Sequence, residues 1–219
     1  MIHEHLEIIN EEFYADRIEP AKLDLLLADA WRHFGTHFFR YNIGFLEREI
    51  RLVIPLRIRL SEFLPSKSQR RILRENSDLY VVCEPLDVDD AAEQLFNRHK
   101  QRFAHNVPTS ILNFVSPNAG ASPCDTKQIC IYKDNELIAA SYFDVGYGST
   151  SGIYAMFEPS AAARSLGIFT MLKEIEFSIE TGKDFYYQGY AYEGESFYDY
   201  KKRFRGSEAF DWHGTWLPF

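Results

Sequence analysis

The sequence predicts an α+β fold, a mixed sheet flanked by helices with a small α/β portion at the N-terminal end. Three observations lead there. Ile50, Leu52, Ile54, Leu56, Ile58 and Leu60 alternate with Arg51, Val53, Pro55, Arg57 and Arg59, the period of a half-buried strand with one charged face. From Gln128 to Phe157, three apolar segments follow one another across short turns, as in a β-meander. Directly afterwards, Ile168, Leu172, Ile175 and Ile179 share one face of a helix.

The elements follow in order. A helix starts near Pro20, whose fixed φ suits a first turn, and Leu23, Leu26, Leu27, Ala30, Trp31 and Phe34 recur at helical spacing until Gly35. Pro55 argues for an edge position or a bulge in the alternating strand. Ser66 can cap a short basic helix through about Glu75. A strand near Leu79 to Cys83 leads to a helix from about Asp89 to Phe103. The loop from Ser116 to Thr126, rich in Pro, Gly, Ala and Ser, reads as mobile or inserted. Gln128 to Tyr132 and Leu137 to Val145 flank Lys133-Asp134-Asn135-Glu136 as a hairpin. Gly146 to Ser149 make the next turn and Ser151 to Phe157 the third strand. The long helix then ends at Gly182. Phe185 to Gly189 is a short aromatic strand, followed by a helix near Ser196 to Arg203 and a strand around Ala209 to His213.

Composition narrows the class. The chain has 219 residues, 46% hydrophobic and 16% aromatic, which excludes disorder as its main state. No apolar run approaches the ~20 residues that span a bilayer, and the acidic start lacks the basic and apolar regions of a secretory signal. A cytoplasmic protein without a membrane partner is expected. Cys83, Cys124 and Cys130 are scattered, and the seven histidines show no ligand spacing, so no zinc or other metal site is expected. His3 and His5 suit only adventitious metal.

The formal charge of −8 disfavours broad nucleic-acid binding, but its distribution is uneven. Between Arg48 and Arg74 stand eight basic residues (Arg48, Arg51, Arg57, Arg59, Lys67, Arg70, Arg71 and Arg74) against two acidic ones (Glu49 and Glu62), a local +6 that leaves −14 for the rest. Such a patch suits phosphates; it equally suits a solvated face of a strand and a helix.

The junction Glu158-Pro159-Ser160-Ala161-Ala162-Ala163-Arg164-Ser165-Leu166-Gly167 carries the chemistry. Amides at a helix N-terminus lack partners inside the helix and attract phosphate, and Arg164 beside them can add a bidentate contact. The segment resembles the R/Q-x-x-G-x-G/A loop of the Gcn5-related N-acetyltransferase fold, with Phe169 in place of the last small residue. Two longer stretches extend the likeness. Phe63-Leu64-Pro65-Ser66-Lys67-Ser68-Gln69-Arg70-Arg71-Ile72-Leu73 resembles the P-S-[KR]-S-Q-R-[RK]-x-L signature of the arginyl- and leucyl-tRNA–protein transferases. Tyr154 to Phe210 resembles that family's second half through Arg164 to Gly167, the helix carrying Glu174, Tyr186-Tyr187-Gln188-Gly189-Tyr190, and Tyr200-Lys201-Lys202-Arg203-Phe204-Arg205-Gly206. Trp31 and Gly35 match a W-R-x-x-G element upstream.

The resemblance implies an N-terminal transferase region over residues 1–78 and a Gcn5-related acyltransferase-like domain over 79–219. It implies an aminoacyl-tRNA donor and a protein N-terminal amine as acceptor. Arg164, Ser165, Leu166 and Gly167 would face the phosphates of the tRNA 3′ end, with Lys67, Arg70, Arg71, Lys201 and Arg205 on its backbone. Tyr186, Tyr187, Gln188, Gly189 and Tyr190 would form the donor pocket, the tyrosines stacking on the terminal adenine or lining the side-chain site, unless they are strand core. An aminoacyl ester is already activated, so no covalent nucleophile is needed. Tyr200 and Glu174 are candidate proton carriers. Arg40, Arg57 and Arg59 are candidates for an acidic acceptor residue.

The family's N-terminal cysteines, which bind a metal or iron–sulfur cluster, have no counterpart at Tyr14 to Arg17 or Phe38 to Glu47. No iron–sulfur cluster, zinc or other cofactor is therefore expected. A coenzyme A-dependent acyltransferase acting on a small amine, and a non-catalytic tRNA- or protein-binding paralogue, are the alternatives.

Overall fold

Three short strands at the N-terminal end, Asn10–Tyr14 (β1), Arg32–Phe34 (β2) and His37–Tyr41 (β3), form an antiparallel sheet in the order β1-β3-β2. The computed structural model of the protein describes residues 7–46, 49–103 and 107–219, so His3, His5 and Arg48 lie outside the described residues. Helix α1 spans Pro20–Ala28, shorter than its apolar spacing predicts. Ala30 turns left-handed at φ 63° and Trp31 leaves the helix, because Arg32 to Phe34 gain strand partners in Phe39 to His37. Tertiary pairing overrides the local period.

Next come Ile43–Leu46 (β4), Glu49–Arg59 (β5), helix Lys67–Glu75 (α2), Tyr80–Pro85 (β6) and helix Asp90–His99 (α3). They are followed by Thr126–Lys133 (β7), Glu136–Val145 (β8), Ser149–Phe157 (β9), helix Leu166–Glu180 (α4), Phe185–Tyr192 (β10), Ser207–Phe210 (β11) and Trp216–Pro218 (β12). The main sheet runs β12-β11-β5-β10-β9-β8-β7-β6, with β4 on β5. Strand β5 is thus interior, and Pro55 falls in the gap on one side between the β4 and β11 pairings. Because β5 belongs to the main sheet, residues 1–78 and 79–219 share one sheet rather than separating at position 78. The loop before β7 is not a mobile insertion: Pro123 O accepts from Ile18 N at 2.7 Å and Leu86 O from Ala119 N at 2.8 Å.

Two layers cover the sheet. Helix α4, with α2 beside it, buries Leu166, Phe169, Leu172 and Ile175 against Ile58, Ile131, Phe143 and Tyr186. On the opposite face α3 packs Leu95 and Phe96 on Cys130, Tyr142 and Met156. Helix α1 and the small sheet pack Leu23, Leu27 and Phe38 with Cys124 and Tyr187. No helix of the described residues is long and apolar enough to cross a membrane.

All pairings in the main sheet are antiparallel except one. The β9–α4–β10 crossover returns the chain parallel to β9, as such a connection must. That pairing covers three residues, Ser149 to Ser151 against Phe185 to Tyr187, although β9 continues to Phe157 and β10 to Tyr192. Register shifts occur on both sides, between Tyr187 and Gly189 against β5 and between Tyr142 and Phe143 against β9. Each bulge bends its strand, and the two strands part into a wedge.

Candidate active site in the wedge between two parallel strands

Where β9 leaves β10, backbone groups lose their ladder partners, and the chain fills the apex with a guanidinium. Arg32 reaches in from β2, donating through Nη1 to Ser151 Oγ and through Nη2 to the Gly152 carbonyl. Gly189 lies beside it at φ +86°, a conformation that suits glycine, with room for a Cβ in ordinary contact at 3.4 Å from Arg32 Nη2.

On the α4 side of the same apex, Tyr186 OH donates to Glu174 Oε2 at 2.5 Å. A Cβ on Gly152 would stand 2.6 Å from the tyrosine oxygen and 2.9 Å from the carboxylate, so the glycine lets this pair abut β9. Glu174 is 3% exposed. Burial pushes its carboxyl up to about 7, while hydrogen bonds and the Arg32 charge pull the other way.

The 3₁₀ turn Phe197–Arg203 closes the wedge. Lys201 Nζ donates to the Tyr190 carbonyl of β10 at 3.1 Å and lies 5.1 Å from the Tyr198 ring centre. Burial lowers its ammonium to about 7, and Arg32 adds to that. Burial raises the Tyr200 hydroxyl to about 12, so it stays protonated at neutral pH. Three groups with shifted ionisation, Glu174, Tyr200 and Lys201, thus come from elements that meet where the strands part, a grouping that marks a candidate site.

At the open end of the wedge, α4 begins from Ser165, left-handed at φ 55°. Its carbonyl accepts from the Ile168 and Phe169 amides at 3.0 Å each, and the Leu166 and Gly167 amides sit at the first two helical positions, outside the ladder. The Leu166 side chain itself is fully buried in the core, as is Phe169. Arg164 does not lie over these amides. Its two terminal nitrogens clasp Asp78, each at 2.9 Å.

The Pro65 to Arg71 run divides into two roles. Ser66 Oγ accepts from Gln69 N at 3.2 Å and Gln69 Oε1 accepts from Ser66 N at 2.8 Å, a capping box that starts α2. Lys67, Arg70 and Arg71 remain exposed around that helix. Asn76, just past α2, donates to the Arg164 carbonyl at 2.9 Å, so the basic helix abuts the start of α4. Arg205 is also exposed.

The aromatic run on β10 is split by strand alternation. Tyr186 faces α4, whereas Tyr187 is buried on the opposite face beside Arg57 and Trp216 and is strand core rather than pocket. Gln188, 4% exposed, donates weakly to Ser207 Oγ at 3.3 Å and leaves its Oε1 without a protein partner. Tyr190 OH donates to the Ala30 carbonyl at 2.7 Å. The arginines suggested for an acidic acceptor are engaged elsewhere: Arg57 and Arg59 both hold Glu208, and Arg40 holds Glu11 and Asp29. Arg32, which sequence reasoning did not single out, stands inside the W-R-x-x-G element that Trp31 and Gly35 marked.

Among the described residues, His33, Cys124 and Asp144 bring possible metal-ligand atoms within 4.8 Å of one another. His33 Nε2 is already hydrogen-bonded to Asp144 at 2.5 Å, its Nδ1 faces Gly35 O at 2.8 Å, and Thr126 donates to the second carboxylate oxygen at 2.7 Å. The group is a satisfied buried pair joining the small sheet to β8.

A mixed sheet whose one parallel strand pair parts at the start of the crossover helix has the architecture of the Gcn5-related fold class. Residues 91–211 match the family described as "Arginine-tRNA-protein transferase, C terminus". An aspartate/glutamate leucyltransferase of Pseudoalteromonas atlantica is 29% identical over 203 residues, covering 90% of this chain and 84% of the relative. One of Xanthomonas campestris pv. campestris is 31% identical over 182 residues, covering 75% and 69%. Among solved structures, FemX shares the fold with a TM-score of 0.53 at 10% identity, over 88% of this chain and 68% of that one. The chain belongs to the arginine-tRNA-protein transferase family.

Proposed function

We propose that this protein moves an aminoacyl group, leucine rather than arginine, from charged tRNA to the N-terminal amine of an acceptor protein beginning with aspartate or glutamate, in the cytoplasm. The observation that carries the reading is the wedge itself, with Arg32, Glu174, Tyr186, Tyr200 and Lys201 around unpaired backbone. The names of the relatives supply the donor and acceptor, and charge supports the neutral donor. Near the apex Glu174 is buried against Tyr186 and Asp144 is held by His33, while Arg32 and Lys201 have no carboxylate partner among the described residues. A guanidinium side chain would meet repulsion there; an isobutyl group would not.

In this reading the tRNA 3′ end enters at the open end. Its phosphates meet Ser165, the Leu166 and Gly167 amides and the exposed Lys67, Arg70, Arg71 and Arg205. The acceptor amine attacks the ester carbonyl near the apex: a C–N bond forms, the bond from carbonyl carbon to ribose oxygen breaks, and the proton lost by the amine passes to that oxygen. Glu174, with Tyr186 between it and the wedge, takes the proton, the Tyr200 hydroxyl gives one to the ribose oxygen, and the proton on Glu174 then passes to Tyr200 so that both groups are restored.

The test is a donor screen. The purified protein is incubated with radiolabelled leucyl-tRNA, arginyl-tRNA or acetyl-CoA and with peptides bearing aspartate, glutamate, lysine or arginine first. Label should pass from leucyl-tRNA to the acidic peptides. Transfer from arginyl-tRNA alone would overturn the donor assignment, and turnover with acetyl-CoA alone would overturn the reading as a whole.

A further inference from the structure

Several of the half-buried or buried arginines among the described residues are neutralised by a carboxylate. Arg57 and Arg59 share Glu208, Arg40 holds Glu11 and Asp29, Arg98 holds Glu158, and Arg164 holds Asp78. Two cations in the wedge are different. Arg32 donates to a hydroxyl and a backbone carbonyl, and Lys201 donates to a backbone carbonyl. Neither is ion-paired among the described residues, though both are half-buried. The two carboxyls whose field reaches Arg32 are committed elsewhere, Asp144 to His33 and Thr126 and Glu174 to Tyr186 OH.

A cation withdrawn from water without a counter-ion is costly, and the cost is relieved when an anion arrives. Arg32 keeps N–H groups beyond the two it uses, and Lys201 uses one of three. We propose that Arg32 and Lys201 form the subsite for the side-chain carboxylate of the acceptor's first residue. The assignment rests on the transferase reading above and deepens it.

The position fits. A first-residue carboxylate lies a few bonds from the amine that reacts, so its subsite must adjoin the place of reaction, and Arg32 occupies the apex itself. The phosphates of the donor have other ligands at the open end, on the start of α4 and the exposed face of α2. Arg32 also belongs to the small N-terminal sheet, so that sheet supplies acceptor specificity to a cleft otherwise built from the main sheet and α4. Gly189 supports the same arrangement through its backbone, whose φ of +86° would strain any side-chain-bearing residue where the strand passes Arg32.

The test is equilibrium binding of pentapeptides that differ only at the first residue (aspartate, asparagine or alanine), measured without tRNA. The aspartyl peptide should bind the wild-type protein about 30-fold more tightly than the asparaginyl one, the worth of a charge-assisted contact. Lys201→Gln and Arg32→Gln should each bring that ratio below about 3. Lys201 lies on a surface turn, so its variant keeps the test alive if Arg32→Gln fails to fold. A wild-type ratio near one, or variants that keep the full preference, would overturn the assignment. So would loss of affinity for uncharged tRNA in Lys201→Gln with the peptide ratio intact, which would make Lys201 a phosphate ligand. Peptide preference without any transfer would leave the subsite standing and sink the transferase reading; transfer without acid preference would do the reverse.

Discussion

Tyr186 and Glu174 meet at 2.5 Å across the floor of the wedge, one from strand β10 and one from the crossover helix, with Gly152 of the neighbouring strand against both. The contact ties the point where the strands diverge to the helix that spans them. It also holds a carboxyl in a site where burial favours its neutral form.

The sign of the consequence follows from linkage. A carboxyl raised from 4.5 to about 7 in the folded state keeps its proton there while the unfolded chain has released it. Stability is fully present below pH 4.5 and falls between pH 4.5 and 7, by on the order of 3 kcal/mol. Glu174→Gln should remove that decline, so that variant and wild type diverge across this window in urea titrations. Parallel curves would mean that Glu174 ionises normally. The same variant should lower kcat about 10²-fold or more and abolish its rise with pH near 7.

Helix α2 separates folding from binding within one short motif. Ser66→Ala removes the cap and should cost about 1 kcal/mol in denaturant melts. Replacing Lys67, Arg70 and Arg71 together by alanine should leave the melt nearly unchanged while weakening tRNA binding. The slope of log affinity against log salt should shrink by roughly 0.7 to 0.9 for each phosphate that is no longer neutralised. An unaltered slope would remove α2 from the tRNA surface.

The ion pair of Arg164 with Asp78 is exposed, 28% and 52% for the two side chains, and geometrically regular. Exposed pairs add little to stability, so Arg164→Ala should move the melting temperature by less than about 2 °C. Asp78→Asn releases the guanidinium next to the start of α4 and should tighten tRNA binding at low salt. If Asp78→Asn instead weakens binding, Arg164 acts by holding the junction in shape rather than by touching phosphate.

Acid preference carries its own pH dependence. Burial and the field of Arg32 lower the Lys201 ammonium to about 7, with Tyr190 and Tyr198 against it and Tyr200 next to it in the chain. A bound carboxylate stabilises the ammonium, so binding takes up a proton and weakens as pH rises above 7. Isothermal titration of the aspartyl peptide in buffers of different ionisation enthalpy should register that uptake, and no uptake at pH 7.5 would exclude Lys201 as its partner.

How far the site was legible depends on distance along the chain. The capping box spans four residues, Ser66 to Gln69, and the hairpin turn rests on Asp134 and Asn135, both at positive φ (51° and 65°), so each was readable from local chemistry. The start of α4 was legible as a helix terminus, and the W-R-x-x-G element contained Arg32 without revealing where it would go. Arg164 seemed free to meet phosphate because Asp78 stands 86 residues away, and nothing local links the two.

By itself, the sequence determined the periods: the alternation of β5, the meander, the apolar stripe of α4 and the caps, all set by sterics and burial within a few residues. Tertiary structure alone decided that Arg32 to Phe34 would leave a helical pattern for a strand, that Tyr187 would point away from Tyr186's face, and which cations would find carboxylates. Those outcomes depend on which distant segments become neighbours, and Arg32 meeting Ser151 across 119 residues is the clearest of them. Ladder partners and counter-ions are properties of the assembled sheet, whereas turns and helix ends are properties of a few adjacent residues.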